Sequence, residues 1–135
     1  MKTSKTIFLV FTLFTLTKLP ALGQISDQVN KVYTYLYVDK IPEFNGGAKK
    51  LKQFLDQNLK WPDSITDIQG TVLLSFIVSD RGNITDIKVE KTLLKSFDDE
   101  AKRVIMLMPK WIPGTLDNHY INVKIYFPID FKINK

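Results

Sequence analysis

Six apolar side chains stand on alternate residues near the end of the chain: Ile121, Val123, Ile125, Phe127, Ile129 and Phe131. Successive side chains of a strand point to opposite faces, so this alternation requires an extended segment with one buried face. Asn122, Lys124, Tyr126, Asp130 and Lys132 form the opposite face of a strand read from about Ile121 to Ile133. Pro128 sits inside it. Proline has no N–H to donate, which places the strand at a sheet edge, its even-numbered N–H groups turned away from the sheet. A final strand with an open rim is the first expectation.

The preceding segments supply the rest of a small two-layer domain. Gly70 to Ser79 is apolar on both faces, with Val72, Leu74, Phe76 and Val78 on one and Leu73 and Ile77 on the other. Such a strand belongs in the middle of a sheet. Asp80-Arg81-Gly82-Asn83 supplies turn chemistry, and Ile84 to Lys91 returns as a half-polar strand with Ile87 and Val89 inward. A first helix spans Ala48 to Leu59, with Leu51, Phe54, Leu55 and Leu59 on one face; Trp61-Pro62 ends it. A second helix begins at Ser96, which forms a capping box with Asp99, and buries Phe97, Ala101, Val104, Ile105 and Met108 before Pro109 stops it. Lys110 to Gly114 reads as a turn. Val32 to Val38, apolar residues alternating with tyrosines, is a possible additional strand. The fold class is α+β: a β-α-β-β-α-β order, an antiparallel three-stranded sheet, and two helices on one face.

The first residues read as an export signal spanning 1–23. Lys2 and Lys5 precede the apolar run Ile7 to Leu16, and Ala21-Leu22-Gly23 suits cleavage before Gln24. Ten helical residues reach only about 15 Å, half of a ~30 Å hydrocarbon core. The competing reading keeps this segment as an inner-membrane anchor; the expectation is a cleaved chain in the periplasm with no membrane span. The full sequence has net charge +5, but the first 23 residues carry Lys2, Lys5 and Lys18 and no acid, which leaves +2 on the remainder. No basic cluster with interleaved aromatics occurs there, so nucleic acid is not an expected partner. The chain has no cysteine, which excludes disulfides, thiol catalysis and lipidation at a cysteine. After the signal, residues 24–40 form an N-terminal segment and 41–135 the folded domain.

Residue types that carry chemistry elsewhere have plain explanations here. His119 is the single histidine, and Asp117 alone does not complete a metal site. Asp98, Asp99 and Glu100 fill a helix's first turn, where the positive end of the helix dipole favours carboxylates. Gly46-Gly47 lacks the Lys-Ser/Thr of a phosphate loop. Trp61 and Trp111, each near a proline, belong to packing. No catalytic residues, metal or cofactor are expected, and the chain reads as a binding protein instead of an enzyme.

Five segments, in order, resemble one family. Ile41-Pro42-Glu43-Phe44-Asn45-Gly46-Gly47 resembles the P-x-F-P-G-G lead into the first helix of TonB C-terminal domains, with Asn45 in place of a proline. Asn58-Leu59-Lys60-Trp61-Pro62 is similar to the family's N-x-x-Y-P. Gly70-Thr71-Val72 through Asp80-Arg81-Gly82-Asn83-Ile84 is similar to its G-x-V…G-x-I hairpin. Asp98-Asp99-Glu100-Ala101, with Met108-Pro109-Lys110-Trp111-Ile112-Pro113-Gly114, resembles D-x-E-A…M-P-x-W-x-P-G, and Phe127-Pro128-Ile129-Asp130-Phe131 resembles the closing P-I-x-F strand. The resemblance covers about residues 32–133 and implies a periplasmic domain whose edge strand pairs with a short segment of an outer-membrane transporter. Only Pro20 and Pro42 precede the first helix, so nothing resembles the proline-rich spacer of a full energy transducer.

The expected site is therefore the last strand: Asn122, Val123, Lys124, Ile125, Tyr126, Phe127, Pro128, Ile129 and Asp130. A transporter's N-terminal peptide, or a segment of another envelope protein, would add to it as a strand. Two alternatives are a dimerisation module that associates through the same edge and a short, anchored energy transducer. The bland reading is that Pro128, Lys124 and Lys132 only protect an edge from aggregation. The tyrosine segment supplies a further expectation, that it pairs with this edge, within the chain or across a homodimer, and blocks it.

Overall fold

The computed structural model describes residues 31–62 and 67–133; the expected signal at 1–23 lies outside them. Strand β1 is Val32–Thr34, followed by a 3-10 turn at Tyr35–Tyr37. Helix α1 is Gly47–Asn58, strands β2 and β3 are Gly70–Val78 and Ile84–Lys91, and helix α2 is Lys95–Met106. The chain closes with a hairpin of β4, Gly114–Leu116, and β5, His119–Phe131. No helix among the described residues is long and apolar enough to cross a membrane.

The alternations seen in the sequence set the two layers. Val72, Leu74, Phe76 and Val78 of β2 are fully buried, as are Phe97, Ala101, Val104 and Ile105 of α2. Val123, Ile129 and Phe131 of β5 join them, while Leu51, Phe54 and Leu59 pack on this core from the α1 side. Aromatic edges meet faces throughout: Phe97 and Phe131 have ring centroids 4.8 Å apart, and Trp61 lies 5.4 Å from Phe97 and 6.1 Å from Phe131. Trp111 fills the other end of the core, 5.8 Å from Phe44, 5.5 Å from Phe76 and 6.3 Å from Phe127.

Gly82 shows why the β2–β3 turn requires glycine. Its φ is +83°, and a Cβ there would stand 2.1 Å from the Trp111 carbonyl oxygen. That approach lets the Trp111 N–H donate to the Gly82 carbonyl at 2.9 Å, tying the turn to the core tryptophan.

Four local expectations need correction. The sheet is not three-stranded: its order is β1-β5-β2-β3, with β4 paired to β5 off that path. β4 lies where a turn was expected, and a two-residue Asp117-Asn118 connection with φ of 50° and 62° joins it to β5. Both residues tolerate left-handed geometry, the requirement of a tight hairpin turn. The segment from Val32 is a strand for only three residues before it coils. The capping box of Ser96 and Asp99 does not form, since Lys95 starts the helix and Leu94 holds the cap position without a side-chain bond. Asp98 takes that work instead: its carboxylate accepts the Leu93 N–H at 3.1 Å and the Thr92 hydroxyl.

β3 carries a feature that alternation alone did not reveal. Its register against β2 shifts between the pairs Ser75↔Lys88 and Ile77↔Thr85, and Asp86 has φ of 52°. This bulge lets Ile84 and Ile87, three residues apart, both face the core.

Candidate functional site: the free edge of the last strand

β2 lies along one side of β5 in continuous register, from Gly70↔Phe131 to Val78↔Val123. The other side of β5 is divided. β1 runs parallel to it and pairs Val32↔Asn122, Tyr33↔Val123 and Thr34↔Lys124. The expected edge is thus covered at Asn122, Val123 and Lys124. From Ile125 to Phe131, β2 is the one strand neighbour among the described residues. Pro128 falls within this stretch, where its missing N–H breaks no ladder bond.

Which main-chain groups face outward follows from the pairing. Just past the strand, the Ile133 N–H donates to the Gln69 side chain at 3.3 Å, toward the β2 side. Odd-numbered residues therefore turn their main-chain groups to β2 and even-numbered ones turn away, as an antiparallel ladder alternates. The rim offers the N–H groups of Tyr126 and Asp130 and the carbonyls of Tyr126, Pro128 and Asp130. Inward side chains Ile125, Phe127, Ile129 and Phe131 are locked in the core side of the sheet, so the rim is rigid.

A groove borders this rim. It has a volume of about 620 Å³ and runs between Lys52, Leu55 and Asp56 of α1, Leu59 and Trp61 just after it, and Pro128 to Lys132 of β5 and its end. Its floor is apolar and its margins carry both charge signs. Lys52 pairs with Asp56 at 2.6 Å and Lys132 with Asp130 at 3.4 Å. The Asp130 carboxylate also accepts the Thr71 hydroxyl at 2.6 Å, which, with Lys132, holds its pKa below the usual value. A strand laid along the rim would drop alternate side chains into this groove.

The helix-free face of the sheet is a polar network. Glu90 of β3 accepts the buried Ser75 hydroxyl at 2.5 Å and faces Lys124 of β5 at 3.4 Å; the Ser75 bond, then Lys124, lower its pKa. Lys124 in turn lies 5.1 Å over the Tyr126 ring. Side chains on both flanks of the rim are thereby fixed in place.

The acidic cluster has structural partners. Glu100 receives Arg103 through two bonds of 2.7 Å and the Lys60 N–H at 2.7 Å, while Arg103 donates to the Asn58 carbonyl at 2.6 Å. This clasp joins the end of α1 to α2 and so sets one wall of the groove. Burial pushes the Glu100 pKa up, but Arg103 and the Lys60 amide outweigh it and hold the carboxyl below its ordinary 4.5. A carboxyl with a lowered folded-state pKa contributes stability that is complete above 4.5 and disappears as pH falls through the lowered value. Glu100→Gln is therefore expected to lower the melting temperature at pH 7 and to flatten its fall between pH 5 and 3, measured by thermal unfolding monitored by circular dichroism.

The remaining singled-out residues sit apart from the rim. His119 is exposed, its Nδ1 2.7 Å from the Asp117 carbonyl oxygen. No group of three metal-ligating side chains occurs among the described residues. Sequence reasoning missed the α1 wall, because a groove between distant segments leaves no local pattern; the exposed half of the Leu55 and Leu59 face was its only trace.

Residues 64–133 match the family described as Gram-negative bacterial TonB protein C-terminal. The chain is also similar to the solution structure of the TonB C-terminal domain of Helicobacter pylori, at 26% identity, covering 64% of this chain and 80% of that one with a TM-score of 0.45. No curated protein matches it.

Proposed function

From a chain that belongs to the TonB C-terminal domain family, we propose a periplasmic binding protein that captures a short segment of an outer-membrane transporter, or of another envelope protein, by strand addition. The observation that carries this reading is the rim of β5 from Ile125 to Phe131, open on one side and bordered by a groove. Main-chain bonds to the groups of Tyr126, Pro128 and Asp130 supply affinity, and the groove lined by Leu55, Leu59 and Trp61 selects side chains.

The expected strength is modest. Five main-chain bonds at about 0.5–1.5 kcal/mol net give roughly 2.5–7.5 kcal/mol before association costs. Dissociation constants in the micromolar to millimolar range follow. Reversible capture suits a protein that engages several transporters in turn.

Synthetic peptides from the N-terminal segments of outer-membrane transporters, titrated into the isotope-labelled domain, test this. The expected result is amide shift changes confined to residues 125–131, α1 and Trp61. Absence of any change at millimolar peptide removes the reading. Sedimentation of the peptide-free domain separates it from self-association through the same edge, which would give a dimer.

A further inference from the structure

We infer that β1 is an internal competitor for the same edge, which limits the partner to a segment of about seven residues unless β1 is displaced. The inference rests on the strand-addition reading above. β5 presents its outward main-chain groups from Asn122 onward, and β1 uses the first of them at Asn122 to Lys124. A partner strand and β1 recognise identical chemistry on one continuous rim.

β1 is built to detach at low cost. It pairs over three residues, and neither it nor the following 3-10 turn contains a buried residue. Leu36 and Tyr37 are 70% and 74% exposed, so releasing the segment uncovers little apolar surface. Directly after it the chain is held firmly: the Asp39 N–H donates to the Thr115 carbonyl at 2.8 Å, and the Asp39 carboxylate accepts the Asp117 N–H at 2.7 Å. Lys40 and Thr115 form a bridge beside them. β1 can therefore leave β5 while the domain stays anchored from Asp39 onward. Thr34 ends opposite Lys124 and the 3-10 turn after it still touches β5, so a strand occupying Ile125 to Phe131 meets the end of this segment, and one three residues longer overlaps β1 completely.

The test compares two synthetic peptides: a seven-residue transporter segment that binds in the titration above, and the same segment extended by three residues over Lys124. Tyr33→Pro removes β1's central pairing residue. The pair Thr34→Cys and Lys124→Cys, register partners in a chain without other cysteines, locks β1 to β5 when oxidised and leaves it paired as in the wild type when reduced. In the wild type the two peptides should bind about equally, because the extension gains only what β1 gives up. In Tyr33→Pro the longer peptide should bind roughly tenfold tighter than the shorter. In the double-cysteine protein, the longer peptide should shift the amides of residues 32–34 in the reduced form and leave them unshifted in the oxidised form, and the shorter should shift them in neither. If Tyr33→Pro does not fold, that redox-dependent shift of the β1 amides decides alone. A longer peptide that gains as much in the wild type as in Tyr33→Pro, or that leaves the amides of residues 32–34 unshifted in the wild type and the reduced form, would overturn the competitor role and leave strand addition standing. No binding of either peptide to any form overturns both.

Discussion

Trp111→Ala is expected to remove about 3–5 kcal/mol of stability, the range for deleting a buried tryptophan. Trp111 is 7% exposed, and its ring meets Phe44, Phe76 and Phe127. These come from the lead into α1, from β2 and from β5, so one truncation opens a cavity where three segments converge. Neighbours held by the sheet cannot collapse into it, and the Gly82 turn, hydrogen-bonded to the Trp111 main chain, sits at its margin. Against a total of about 5–15 kcal/mol for a domain of this size, the variant approaches the unfolding threshold. Urea unfolding followed by circular dichroism reads the loss. Trp111→Phe offers the contrast. The Trp111 Nε1 is buried without a hydrogen-bond partner. Phenylalanine removes that unpaired donor while keeping most ring contacts, so the loss should fall well below that of alanine. Equal losses for the two substitutions would mean that the aromatic cluster is not what this position contributes.

Tyr126→Pro is expected to abolish partner binding while leaving the fold intact. The Tyr126 main chain faces away from β2, so a proline there breaks no bond of the β2–β5 ladder, as Pro128 already demonstrates two residues on. It does delete one of two outward N–H groups and sets a ring against the incoming strand. Affinity should fall by at least tenfold, from a micromolar to millimolar starting point toward the limit of detection. The side chain is 44% exposed, and its loss costs only the contact with Lys124 and some cover over Ser75. Tyr126→Ala keeps the N–H and should lose far less affinity than proline. Matching losses for alanine and proline would place recognition in the side chain and defeat a main-chain mechanism.

Much of the fold was legible because it rests on local periodicity. The odd-numbered face of β5 and the two-sided apolar character of β2 both reappear in the structure, and for one reason: the pleat assigns faces by residue parity. The helical stripes from Leu51 and Phe97 were equally readable. What could not be read in advance has physical causes of the opposite kind. β4 is three residues long, too short for a period to show, and exists because the Asp117-Asn118 turn folds it onto β5. The Asp86 bulge changes parity inside β3. The Ser96 cap failed because Asp98 bonds Thr92 and Leu93 across a loop, a competition decided by how the chain approaches the helix.

Residue types alone predicted an open rim along the whole last strand, but β1 lies outside it in the sheet and only Ile125 to Phe131 has β2 as its one strand neighbour among the described residues. Tertiary structure decided how much of that rim stays open. β1 comes from about ninety residues earlier in the chain and covers the strand's first part, while α1 walls the groove beside the remainder. Parity and proline act within a few residues and are written in the sequence itself. The pairing of distant segments depends on where the packed core puts them, and only the folded chain determines that.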